Sequence, residues 1–129
     1  MKNLANCTPT EFFKQTNLIR KSVSKWLTDT DIVNIRKRIP ALPEDISLEE
    51  RTKAMEKQAN ENFTAILDAI MEEHPDETLE LLALVCFVDP KDIDKHPMSE
   101  YMGAIAELLS NVDVLNFFTS LTSLVNQLT

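Results

Sequence analysis

The sequence predicts an all-α fold, namely a five- or six-helix bundle or a short helical array whose neighbouring helices form hairpins. Apolar residues recur at steps of three and four along most of the chain, the spacing of a buried helix face. The 129 residues include a single glycine, and most of the six prolines fall where helices are expected to begin or end. The length fits one all-α domain, 1–129, made of a basic two-helix part (1–39), a linker (40–46) and an acidic helical body (47–129).

The basic part is expected to contain two helices. The first is predicted over Pro9–Leu27, because Thr8 and Glu11 have the spacing of a capping box around its start. A shorter helix is predicted over Asp31–Arg38, with its cap among Thr28–Thr30. The proline-containing linker that follows ends this helix and also marks the change from basic to acidic composition.

The acidic body is expected to begin with a long helix and to continue with a buried one. Ser47 and Glu50 form a second capping box, and the helix that they open extends to Glu73. The run Leu81–Val88 is apolar on every side, which fits either a buried strand or a buried helix. Without partner strands in the sequence, a central buried helix is favoured, with Cys86 as a small core residue.

Two further helices complete the predicted fold. A turn-rich acidic connection over 89–97 is expected to contain one short helical turn. It leads to a helix over Pro97–Ser110, and Asn111 is expected to cap the last helix, Val112–Leu128. The residues of the first of these helices that are expected to face inward are Met98, Tyr101, Met102, Ile105, Leu108 and Leu109.

The formal net charge of -8 is unevenly distributed along the chain. Residues 1–40 contain eight basic and three acidic side chains, and the remaining residues are strongly acidic. The candidate residues of this basic head are Lys21, Lys25, Arg36, Lys37 and Arg38. They suit a small helical DNA-binding regulator, but the acidic body would repel nucleic acid, so this function stays an alternative. The other interpretation is that the basic head meets an acidic face of this chain or of a neighbouring subunit.

Composition and spacing disfavour an enzyme. A single glycine excludes glycine-rich phosphate loops, and the two cysteines and two histidines lack zinc spacing. The acidic turn Asp89–Asp94 does not match a calcium loop. We therefore predict no catalytic residues, no metal ligands and no cofactor. The longest uncharged stretch, Val114–Thr129, is amphipathic and too short to span a bilayer, so a cytoplasmic protein without a membrane partner is expected.

Broad apolar stripes on the last two helices predict a protein-binding surface. Paired phenylalanines widen the stripe of the last helix, and methionines add adaptable apolar area. An apolar surface larger than one core requires favours either a partner groove or self-association into an oligomer. The candidate partner-binding residues are Met98, Tyr101, Met102, Phe117, Phe118, Leu121 and Leu124. The alternative for each of them is core filling.

The order of segments in the second half resembles the tail assembly chaperones of long-tailed bacteriophages. The helix sequence 77–85, the acidic turn, the helix 97–111 and the segment Asn116–Leu121 carry the resemblance, which covers about 63–128. It implies a phage or prophage protein of the bacterial host cytoplasm that coats the tape measure protein, keeps it soluble and helps recruit tail tube protein. It also implies that no catalysis takes place, and in many such phages a ribosomal frameshift adds a second domain. A head–tail adaptor of the virion is an alternative.

Overall fold

The computed structural model describes residues 1–128, which form six α-helices and no strand. A five-residue π-helical segment, Ala69–Glu73, continues the third helix, and a short 3-10 helix, Pro90–Lys95, precedes the fifth. The all-α fold class predicted from the sequence is thereby confirmed. The α-helices are α1 (Pro9–Thr30), α2 (Ile32–Arg36), α3 (Leu48–Asp68), α4 (Pro75–Val85), α5 (Met98–Ser110) and α6 (Val112–Leu128).

The chain divides into two compact units. We call residues 1–22 together with 79–128 the terminal unit, and residues 23–78 the central unit. The change from basic to acidic composition at Pro40 lies inside the central unit, so the boundary in charge is not a boundary between units.

Both predicted capping boxes begin helices. The Thr8 N–H donates to the Glu11 carboxylate at 3.1 Å, and the Glu11 N–H donates back to the Thr8 hydroxyl at 3.2 Å. The Lys2 ammonium also pairs with this carboxylate. The Ser47 hydroxyl accepts from the Glu50 N–H at 3.1 Å at the start of α3. These contacts satisfy main-chain donors that a helix start leaves free.

The first helix ends later than predicted, and the threonines expected to cap the second helix lie inside the first. The Thr28 hydroxyl donates to the Ser24 carbonyl at 3.0 Å and the Thr30 hydroxyl to the Trp26 carbonyl at 2.6 Å. These hydroxyls bond to carbonyls one turn back, so both threonines belong to α1 and neither caps the next helix. The break falls at Asp31, which has a left-handed backbone with φ 55°.

The core of the terminal unit lies between α4, the 3-10 helix and α5. Cys86, Tyr101 and Ala104 are buried there, and the Tyr101 hydroxyl donates to the Ile93 carbonyl at 2.7 Å. Burial raises the pKa of the Cys86 thiol. The helical alternative for the apolar run 81–88 is confirmed for its first five residues, which belong to α4. Residues 86–88 lie beyond the end of α4, and Phe87 there has a left-handed backbone with φ 58°. Cys86 is the buried core residue that was predicted. The partly buried residues packed against this core are Leu82, Val85, Val88, Ile93 and Ile105.

The inward face of α5 is narrower than predicted. Met98, Met102 and Leu109 are each more than half exposed, whereas Tyr101 and Ala104 on the same helix are buried. The reason is that α4 and the 3-10 helix supply the core contacts of one side of α5 only.

The junction of α5 and α6 is a bend of 54°. Only Asn111 lies between the two helices, and its backbone is extended, with φ -86° and ψ 105°. Its side chain caps α6, because the side-chain amide oxygen Oδ1 of Asn111 accepts from the Val114 N–H at 3.1 Å. A single connecting residue does not reverse the chain, so the hairpin geometry predicted for the junctions is not found at this one.

Candidate protein-docking surface

Four phenylalanines meet where α6 packs against α1 in the terminal unit. The Phe12 ring contacts Phe117 edge-on, with centroids 5.3 Å apart at 84°, and stacks on Phe118 at 5.8 Å and 30°. Phe13 contacts Phe117 edge-on at 6.3 Å and is itself 63% exposed. We call these four residues the phenylalanine cluster. Offset and edge-to-face pairs of this kind stabilise a contact beyond the apolar area that they bury.

A cleft of about 350 Å³ lies beside the phenylalanine cluster. Phe12, Phe13 and Phe117 form part of its wall, and Cys7 lies in it with its thiol 3.7 Å from the Leu4 carbonyl oxygen. Burial raises the pKa of the Cys7 thiol, which keeps it in the weakly nucleophilic protonated form. The walls of the cleft are mostly apolar, with Asn111 and Asp113 as its polar members.

The remainder of α6 projects its apolar residues into solvent. Every residue from Phe118 to Leu128 is exposed, and the segment 114–128 contains no charged residue. Apolar side chains recur there at steps of three and four and therefore share one helix face. We call this the exposed α6 face: Phe118, Leu121, Leu124, Val125 and Leu128, whose exposure ranges from 39% to 79%.

The size and composition of the exposed α6 face suit a protein partner. Covering the exposed half of one leucine side chain contributes about 1 kcal/mol, so five such residues supply a substantial part of a specific binding energy. Thr119 and Thr122 donate their hydroxyls to carbonyls one turn back, so they satisfy themselves within the helix. An apolar stripe flanked by polar residues that bond within their own helix is typical of a helix that lays its apolar face against a groove of another protein.

The predicted partner-binding residues fall into four environments. Phe118, Leu121 and Leu124 belong to the exposed α6 face, and Met98 and Met102 are exposed on α5. Phe117 is partly buried in the phenylalanine cluster.

Tyr101 differs from the other candidates because it is only 2% exposed and its hydroxyl is held by the Ile93 carbonyl. Tyr101 is therefore a core residue and does not belong to the candidate docking surface. Phe12 and Phe13 belong to the phenylalanine cluster but were not predicted from the sequence. Their contacts with Phe117 of α6 join segments that lie far apart in the chain.

The predicted basic head is divided between the two units. Lys21 belongs to the terminal unit and the other four residues to the central unit. All five are exposed, and among residues 1–128 only Lys25 forms an ion pair, with its Nζ 3.9 Å from a Glu77 carboxylate oxygen. The interpretation that the basic head meets an acidic face of its own chain therefore applies to Lys25 alone.

Ionisable side chains elsewhere form local pairs. His74 Nδ1 lies 3.6 Å from the Glu77 carboxylate, and His96 Nδ1 lies 2.7 Å from that of Glu100. Each pair joins residues three or four positions apart at the start of a helix. Within residues 1–128, no group of three or more His, Cys, Asp and Glu side chains is arranged to hold a metal ion.

In the described part of the chain, no single helix is long and apolar enough to cross a membrane. Helices α5 and α6 meet these criteria of length and composition only as a bent pair.

Comparisons with protein-family models, with curated protein sequences and with solved structures found no match.

Proposed function

We propose that this chain is a phage or prophage tail assembly chaperone, a non-enzymatic protein that binds the tape measure protein, keeps it soluble in the host cytoplasm and aids assembly of the tail tube. The observation that carries the proposal is the exposed α6 face. It presents an uncharged apolar stripe on a helix whose first turns are held by the phenylalanine cluster. The resemblance of segments 77–121 to this class of chaperone supplies the identity of the cargo.

The proposed cargo is a long protein with apolar helical segments. Such a segment would lie along the exposed α6 face, with Phe118, Leu121 and Leu124 as anchors. Met98 and Met102 add flexible apolar area on α5, and thioether side chains adapt to different sequences along one cargo. The net charge of -8 keeps the resulting complex soluble, because copies of the chain repel one another.

Co-expression with the very long helical protein encoded by the neighbouring gene tests the proposal. The expected result is a soluble complex that co-purifies on a tag placed on this chain. The double substitution Leu121→Ser and Leu124→Ser should leave the cargo mostly in the pellet, because it removes two anchors from the exposed α6 face.

The control is the pair Leu48→Ser and Met71→Ser, which removes two apolar side chains of the central unit that are more exposed than Leu121 and Leu124. It should retain the soluble complex. A neighbour protein that stays insoluble with the unaltered chain, or an equal loss with both double variants, contradicts the proposal.

A second measurement separates a chaperone from a head–tail adaptor. A chaperone leaves before the particle is finished, so peptides of this chain should be missing from purified virions analysed by mass spectrometry. Their presence at a fixed copy number per particle would replace the proposal with the adaptor.

A further inference from the structure

A second apolar surface lies in the central unit, where α2 and the segment after it pack on α3. Two clefts there, of about 410 and 550 Å³, share Arg36 and Ile66 in their walls. The first cleft contains the exposed apolar side chains of Met55 and Phe63, and the second contains that of Val33. We call the two clefts together the cationic groove.

The rim of the cationic groove is basic and unpaired. Arg36 and Arg38 line the first cleft, and Arg36 and Lys37 line the second. All three side chains are exposed, and in the part of the chain that the structure describes none of them has a carboxylate within 4.0 Å. Three adjacent cations beside apolar side chains are therefore available to a partner.

The groove is also held in shape before any partner binds. The Asn62 side chain, which is buried in α3, donates to the Arg38 carbonyl at 3.0 Å and accepts from the Gln58 side chain at 2.8 Å. Ile35 of α2 is buried. Because the main chain of the basic segment is fixed by these contacts, binding does not have to order it.

We propose that the cationic groove binds an amphipathic helix of another protein, one whose apolar stripe is flanked by Asp or Glu. Met55, Phe63 and Val33 would take the apolar stripe, and Arg36 and Arg38 would pair with the flanking carboxylates. The basic rim of the groove favours a helix with acidic flanks over a helix with basic flanks, because the rim cations attract carboxylates and repel other cations. The apolar walls distinguish it from nucleic acid, since phosphates require the cations but gain nothing from Met55 and Val33.

Fluorescence anisotropy with designed peptides tests this proposal on the full chain. The probe is a labelled helical peptide of about 18 residues, five helical turns, with leucines along one face and glutamates on both flanks. Its comparators carry lysines in place of the glutamates, or serines in place of the leucines. The acidic amphipathic peptide should bind saturably, at least about tenfold more tightly than either comparator, and more weakly as salt concentration rises.

Matched variants locate the binding site. The triple substitution R36Q/K37Q/R38Q should weaken binding of the acidic peptide about tenfold, because it removes the rim cations. The control R51Q/K53Q/K57Q removes the same number of exposed cations from α3 and should bind as the unaltered chain does. Phe63→Ser should weaken binding of the same peptide, and circular dichroism should show unchanged helicity for all variants.

Four outcomes would overturn the proposal. The first two are that the acidic peptide does not bind saturably, or that its lysine comparator binds equally well. The third is that both triple variants weaken binding equally. The fourth is that DNA displaces the peptide at a lower concentration than unlabelled peptide does. Size-exclusion chromatography adds a fifth: if the chain self-associates and R36Q/K37Q/R38Q makes it monomeric, the groove is occupied by a second copy instead.

Discussion

The indole N–H of Trp26 donates a hydrogen bond of 2.9 Å to the hydroxyl of Thr78, across 52 positions of the sequence. The same hydroxyl lies 3.0 Å from the Ile70 carbonyl and 2.9 Å from the His74 carbonyl. One small side chain in the central unit therefore connects the end of α1 with the π-helical segment and with the start of α4. It also gives the partly buried indole its polar partner.

Replacement of Thr78 by valine should destabilise the chain by about 1–2 kcal/mol, because the Trp26 N–H loses its acceptor while the volume of the side chain is kept. Urea unfolding followed by Trp26 fluorescence measures this loss. Thr64→Val, at an exposed position of α3, is the control and should change stability by less than about 0.5 kcal/mol. Equal effects of the two substitutions would show that the indole bond contributes nothing.

The capping box of α1 should make stability depend on pH in the acid range. The hydrogen bond from Lys2 and those from Thr8 lower the pKa of Glu11 from its ordinary value of 4.5 to about 2. Because the folded-state pKa is the lower one, this stabilisation is fully present above pH 4.5 and is lost as the pH falls toward 2.

The difference in stability between the unaltered chain and Glu11→Gln should accordingly be largest at neutral pH and vanish near pH 2. Urea unfolding across this pH range gives the comparison. Glu107→Gln, an exposed position of α5, should show no such convergence. A constant difference for Glu11→Gln at all pH values would contradict the assignment.

The start of α6 should depend on its asparagine cap. Asn111→Ala removes the acceptor of the Val114 N–H and should destabilise the terminal unit by about 1 kcal/mol. Hydrogen exchange should show faster opening of the first turn of α6, whereas Asn116→Ala, at an exposed position inside the helix, should leave that turn protected. Unchanged exchange in Asn111→Ala would mean that packing of the phenylalanine cluster alone holds the helix start.

The break between α1 and α2 should tolerate glycine and reject a β-branched residue. Asp31 has φ 55° and accepts a hydrogen bond from the Asn34 side chain at 2.6 Å. Asp31→Val should lose about 1–2 kcal/mol because a β-branched side chain is strained in the left-handed region. Asp31→Gly should stay within about 0.5 kcal/mol of the unaltered chain, since relief of strain offsets the lost hydrogen bond.

Thermal unfolding of the two variants provides the measurement, with Asp29→Val as the control for the same substitution at a helical position. The control should lose less than Asp31→Val. Loss of stability in Asp31→Gly as large as in Asp31→Val would indicate that the hydrogen bond to Asn34, and not the backbone conformation, determines the outcome.

Local interactions explain which parts of the fold were predictable. Thr8, Ser47 and Asn111 cap helices where expected, because a cap joins residues only three positions apart. The prediction failed for Thr28 and Thr30, whose hydroxyls have two local choices. Both side chains bond backward within α1, and nothing in their own sequence distinguishes that geometry from a cap on the next helix.

The candidate site was predictable only where its residues lie on one helix. Leu121 and Leu124 could be placed on one face of the last helix from their spacing. The participation of Phe12 could not, because its contact with Phe117 depends on how α1 and α6 pack. The cationic groove likewise needed the structure, since Arg38 and Phe63 become neighbours only when the segment after α2 lies on α3.

By itself, the sequence determined the helices, most of their boundaries and the separation of a basic start from an acidic body. These properties depend on residues within about one helical turn of each other or on composition. Only the tertiary structure decided which apolar faces are covered. Tyr101 and Met102 are neighbours on α5, yet the first is buried and the second exposed. Periodicity states which residues share a face, whereas burial of that face depends on whether another helix packs against it.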